Sequence, residues 1–210
     1  YAMIAYQTAY LKAHYPIEFT IGLLESDLET ADKLHRDVEE ARNLGIEVLQ
    51  PDVNKSKLMF GIEEKEGKNC IRFGMGGIKT INRKVVEKII TERDKKGPFK
   101  HFDDLVGRVG ITDLTKKTLE VLIESGALDA FGSRTQLLTI MPTVWNKYTR
   151  LKDERNQESL FGDSKVMGES ASLLPNIEKE TDKQKLVWER ELLGTFFSNH
   201  PLRNYTYLID

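Results

Sequence analysis

Glycine cuts this chain into short pieces, and that limits what it can build. Apolar residues recur at helical spacing in several stretches. Leu34, Val38, Ala41 and Leu44 stop at Gly45; Val85, Val86, Ile89 and Ile90 run toward Gly97-Pro98; Leu119, Leu122 and Ile123 stop at Gly126. A glycine just past a helix takes the left-handed conformation that closes it without the steric cost a side chain would add. No apolar run approaches the ~20 residues of a membrane span. The chain is expected to be an assembly of short helices.

The remaining punctuation fills in the order. Tyr1 to His14 holds good helix formers, Pro16 suits the first turn of a second helix over Ile17 to Glu25, and Thr30 can cap a third. From Ile46 the period changes. Ile46 and Val48 alternate, and the runs Leu58 to Ile62 and Cys70 to Phe73 flank Glu66-Gly67, which reads as a small β-hairpin. Further helices start near Asn82, Thr115 and Ser133. The last carries Leu137, Leu138, Met141, Val144, Trp145, Tyr148 and Leu151, with Pro142 expected to kink or split it. Residues 152 to 183 are polar and without period, as a linker would be, and a final helix is expected over Lys185 to Phe197, before a His200-Pro201 turn.

Chemistry-bearing residues are sparse. Cys70 is single, so it makes no internal disulfide, and His14, His35, His101 and His200 are scattered, with neither metal-ligand nor catalytic spacing. Asp103-Asp104 and Glu39-Glu40 read as solvated charges. Of 210 residues 30% are charged and 40% hydrophobic, enough for one or two small domains. With no signal peptide or span, a cytoplasmic location is expected. The opening Tyr1, already in apolar periodicity, suits a segment of a longer chain.

Charge distribution says more than its sum. The net charge is −2, yet Lys79, Arg83, Lys84, Lys88, Arg93, Lys95, Lys96 and Lys100 face only Glu87, Glu92 and Asp94 between positions 79 and 100, a local +5. Helix, short turn, helix occurs around Gly77 to Asn82 and again around Gly126 to Ser133. In a helix-hairpin-helix unit the turn aims the first amides and positive dipole end of the second helix at a phosphate, so it reads backbone and not sequence. The candidate DNA contacts are Gly76, Gly77, Lys79, Thr80, Asn82, Arg83 and Lys84 in the first unit, with Gly74 easing close approach, and Gly132 and Arg134 in the second. A strand ending in a tight turn is the weaker alternative for the first glycines, and a structural role suits the second unit as well as DNA contact does. The fold class expected is therefore mainly α: a helical bundle with a small β-hairpin and tandem helix-hairpin-helix units, followed by a polar linker.

In the linker, Gln157-Glu158-Ser159-Leu160-Phe161 sets an apolar pair beside a glutamine. Leu160 and Phe161 could fill a partner's apolar pocket while the Gln157 amide fixes register. Alternatively the pair pins the linker to the chain's own domain.

Several stretches together resemble the C-family replicative DNA polymerases of bacteria. They are Tyr6 to Pro16 (YQTAYLKAHYP), Gly45 to Asn54 (GIEVLQPDVN), Ile71 to Lys79 (IRFGMGGIK), Gly97-Pro98-Phe99, Ser125 to Asp129 (SGALD), Leu193-Gly194 and Ser198 to Leu202 (SNHPL), in the family's order. The resemblance implies the C-terminal part of a fingers domain over 1–50, a helix-hairpin-helix DNA-binding region over 51–151, a linker with a sliding-clamp-binding peptide (Gln157, Leu160, Phe161) over 152–184, and over 185–210 a helix leading toward an oligonucleotide-binding-fold domain. It implies as partners duplex primer-template DNA, the sliding clamp and other replicase subunits, and no membrane. The family's catalytic carboxylates and Mg²⁺ belong to the palm, N-terminal to Tyr1, so the resemblance implies no cofactor and no synthesis here. The family commonly has glycine where Thr80 and Asn82 stand. A non-enzymatic helix-hairpin-helix DNA-repair adaptor is the alternative reading; it leaves the fingers-like N-terminus unexplained.

Overall fold

The computed structural model describes residues 1–158 and 171–198. In chain order the elements are α1 (Ala2–His14), α2 (Pro16–Ser26), α3 (Ala31–Asn43), β1 (Val48–Leu49), β2 (Gly61–Lys65), β3 (Lys68–Arg72), a 3-10 turn (Met75–Gly77), α4 (Arg83–Lys96), α5 (Phe102–Val109), α6 (Lys116–Glu124), a 3-10 turn (Asp129–Phe131), α7 (Arg134–Glu158) and α8 (Asp182–Leu193). The fold is mainly helical with a small sheet. It divides into two compact units, one of residues 1–51, 55–79 and 182 onward, the other of 52–54 and 80–181.

The first unit holds α1 to α3, the sheet and α8. Gly45 closes α3 at φ +77, as its position demands, but Leu44 is 52% exposed; it lies at the helix cap, past the stripe that Leu34, Val38 and Ala41 bury. The hairpin becomes part of a three-stranded sheet ordered β1-β3-β2. β2 runs antiparallel to β3 with Gly61 opposite Arg72, and β1 joins parallel with Val48 beside Ile71. Glu66 and Gly67 both have positive φ, +54 and +75, the turn whose twist matches paired strands. The strands lie closer to this turn than the apolar runs suggest, because backbone pairing carries Glu63, Glu64 and Lys65 into β2 once Ile62 is registered opposite Ile71. Phe73 anchors the core, edge-on to Phe60 and Phe197 with centroids 4.8 and 5.7 Å away. α8 closes on its own carboxylate: buried Glu189 accepts from the Phe197 amide at 2.7 Å and from the Ser198 amide and hydroxyl at 2.8 and 2.6 Å.

In the second unit four helices bury Val86, Ile89, Leu105, Val106, Leu119, Leu122, Leu137 and Val144. α7 is one helix through Pro142, so the alternative of a split there is corrected. Proline removes one backbone bond, here on an exposed position, while Leu137, Met141 and Val144 hold the inner face to the core. The join between α4 and α5 is tied by Asn54, whose side chain donates to the Phe99 carbonyl at 2.9 Å and accepts from its amide at 2.8 Å. Arg108 adds to it, donating to the carbonyls of Glu92 and Gly97 at 2.6 and 2.8 Å and stacking 4.2 Å from the Phe99 ring centroid.

Asp103 and Asp104 are not solvated. Asp103 accepts from the Lys147 ammonium at 2.9 Å and from the Ser172 amide and hydroxyl at 3.0 and 2.9 Å; Asp104 accepts from the Lys100 amide at 2.9 Å. Burial pushes the Asp103 carboxyl up, but these donors outweigh it and hold it below the usual carboxylate range. The same contacts change the reading of the linker. α7 extends to Glu158, and residues 171–181 are tied to this unit: Gln136 donates to the Pro175 carbonyl at 2.9 Å, and Glu180 accepts from the Thr135 amide at 3.0 Å.

Candidate nucleic-acid interface

α4 begins as its sequence suggests. Asn82 caps it, the side-chain oxygen accepting from the Lys84 amide at 2.9 Å, and the Asn82 carbonyl accepts from the Val85 and Val86 amides at 2.9 and 3.3 Å. The amides of 84 to 86 are therefore engaged within the helix, which leaves side chains and the helix dipole to meet a phosphate there. Lys84, Lys88 and Lys95 are exposed at i, i+4 and i+11, one face of the helix, opposite the buried Val85, Val86 and Ile89. Among the described residues these three lysines make no ion pair, whereas Arg83 bonds Glu87 at 3.0 Å and Lys96 pairs with Glu92 at 2.8 Å.

The element before this start is a strand and a single 3-10 turn, not a full helix, and the division between the two units falls between Lys79 and Thr80. On the first unit's side the glycines make room for protein. A Cβ on Gly74 would lie 2.4 Å from the Met59 carbonyl carbon, one on Gly76 2.7 Å from the Leu58 carbonyl oxygen, and one on Gly77 2.8 Å from Leu28. The Lys79 amide donates to the Leu192 carbonyl at 2.9 Å. On the second unit's side the left-handed residue is Thr80, at φ +66, while Asn82 sits at an extended φ of −74. A β-branched residue there is strained by about 1–3 kcal/mol.

α6 and α7 form the second helix pair. Thr115 caps α6 by accepting from the Thr118 amide at 3.1 Å, Gly126 closes it at φ +81, and Ser133 opens α7 in a reciprocal cap with Gln136. Arg134 is not offered to solvent. It is 1% exposed, with Nε and Nη2 donating to the Asp129 carboxylate at 3.1 and 3.2 Å and Nη1 to the Glu124 carbonyl at 3.0 Å, so it clasps the turn from inside. Gly132 gives space to Leu174, which a Cβ would meet at 2.9 Å. Exposed cations near the start of α6 are Lys116 and Lys117 in its first turn, which the charge pattern alone did not single out although Thr115 marks that helix start.

Gln157 lies in the last turn of α7, and Leu160 and Phe161 lie outside the described residues, as do His200 and Pro201. Among the described residues no three of His, Cys, Asp and Glu come together as metal ligands, and no helix is long and apolar enough to cross a membrane.

Comparison with known proteins agrees with this architecture. Residues 45–137 match the helix-hairpin-helix motif family. Over 98% of its length the chain is 38% identical to the DNA polymerase III subunit alpha of Xylella fastidiosa, 35% to that of Campylobacter jejuni and 37% to that of Thermus aquaticus. It spans 17%, 17% and 16% of those relatives. The chain thus matches the helix-hairpin-helix motif family over residues 45–137 and is similar, along almost all of its length, to about a sixth of a DNA polymerase III alpha subunit.

Proposed function

We propose that this chain is a DNA-handling part of a replicative DNA polymerase, contacting duplex backbone without sequence preference and tethering the enzyme to its sliding clamp. The observation that carries the reading is the conjunction of a helix-hairpin-helix match with a row of exposed lysines on α4 that make no ion pair among the described residues, inside the matched region. Phosphate contact of this kind positions the enzyme on newly made duplex whatever the sequence. The polymerase relatives match residues outside 45–137 as well, which a generic repair adaptor does not account for. Gln157, Leu160 and Phe161 serve as the clamp peptide, so that release from the primer leaves the enzyme held at high effective concentration. Nucleotide addition and its Mg²⁺ belong to the rest of the parent subunit, with which other replicase subunits associate. This chain alone is expected to bind and not to synthesise.

Charge reversal at Lys79, Arg83 and Lys84 tests the duplex contact. Binding to unrelated duplexes is expected to weaken uniformly; unchanged binding removes α4 as the DNA site. Clamp binding that survives changing Leu160 and Phe161 together to alanine would remove the tether.

A further inference from the structure

The first unit carries a cationic cleft of its own, outside α4. Lys55, Lys57, Gly61, Ile62, Glu63 and Arg72 line a depression of ≈ 320 Å³ on one face of the β2–β3 pair. Three cations meet one carboxylate there, leaving a surplus of two positive charges. Glu63 is fully occupied, accepting from the Lys55 ammonium at 2.8 Å through one oxygen and from Arg72 Nε at 2.7 Å through the other. Arg72 is 11% exposed and held in place, because its Nη1 also donates to the Gln50 carbonyl at 2.6 Å. Its Nη2 makes no hydrogen bond among the described residues, and neither does the exposed Lys57 ammonium.

We propose that this cleft is a phosphate-binding site, taking the phosphate of a nucleotide or of a nucleic-acid strand between Arg72 Nη2 and the Lys57 ammonium. A planar guanidinium already fixed by two partners loses little freedom on meeting an anion, and a strand-borne arginine suits the fork geometry of phosphate oxygens. Glu63 orients the arginine without repelling the ligand, since its charge is already shared by two cations. All of these residues lie in the first unit, so the site stands or falls separately from the duplex contact of α4.

The test follows the Arg72 side-chain Nε–H signal in the labelled full chain while inorganic phosphate is added, with chloride at matched ionic strength as control. A saturable shift with phosphate and none with chloride is expected. Lys57→Glu should weaken it about tenfold or more, as removal of a charge-assisted hydrogen bond implies, and Lys84→Glu should leave it unchanged. Equal response to chloride, or an unaltered response in K57E, overturns the site. Competition by a nucleoside triphosphate and by a single-stranded oligonucleotide then separates the two sources: the one displacing phosphate at lower concentration is the ligand class. Competition by neither refutes the assignment to nucleotide or strand phosphate.

Discussion

At the scale of single residues, strain and burial make the sharpest expectations. Thr80 holds a left-handed backbone at φ +66, so Thr80→Gly should raise stability by about 1 kcal/mol, the relieved strain being partly offset by glycine's greater freedom when unfolded; denaturant unfolding measures it, and a drop in stability would show that the strain is absent. Arg134→Ala should cost about 3 kcal/mol or more, because it empties a buried site and removes the hydrogen bonds that Arg134 gives to Asp129 and Glu124. Glu63 titrates at about 2, held down first by Arg72 and then by Lys55 against the opposing pull of burial. Its folded pKa lies below its unfolded one. Its stabilisation, on the order of 2–3 kcal/mol, is thus complete above the unfolded value near 4.5 and disappears as pH falls toward 2. Glu63→Gln should flatten stability across that window, and a slope unchanged in E63Q would place the acid sensitivity elsewhere. The types of these residues are readable in the sequence, but their partners are not. An arginine after a glycine turn looks the same in sequence whether it faces water or Asp129, and only the packing of Gly126 and Asp129 around it decides.

At the scale of elements, helix stops are legible because glycine and the caps act locally: Gly45, Gly126, Thr115 and Asn82 do in the structure what their chemistry suggests. α5 is not legible in that way. It is eight residues long, contains Gly107, starts at a histidine whose Nδ1 accepts from the Asp104 amide at 3.1 Å, and buries the acidic pair that reads as solvated in the sequence. Its stability comes in part from Asn54 and Lys147, far along the chain, which no local window contains. The exposed face of α4 is an element-scale feature too. Every lysine that meets a phosphate adds roughly one to the slope of log affinity against log salt, so reversing Lys84, Lys88 and Lys95 together should reduce that slope by roughly three while leaving sequence preference unchanged. An unchanged slope would mean that these lysines do not meet phosphates.

At the scale of the whole molecule, the division into two units differs from a reading by successive segments, since residues 55–79 fold with the N-terminal helices and α8 returns to the same unit. Long-range return of the chain leaves no local signature, and only the family resemblance supplies an order of regions. The docking of 171–181 has a consequence for acidity. Asp103 clips Ser172 and Lys147 together, accepting from both, so the segment's hold depends on the charge of one carboxylate. Because that carboxylate is held below the usual range, the clip is complete at neutral pH and loosens only as acid protonates it.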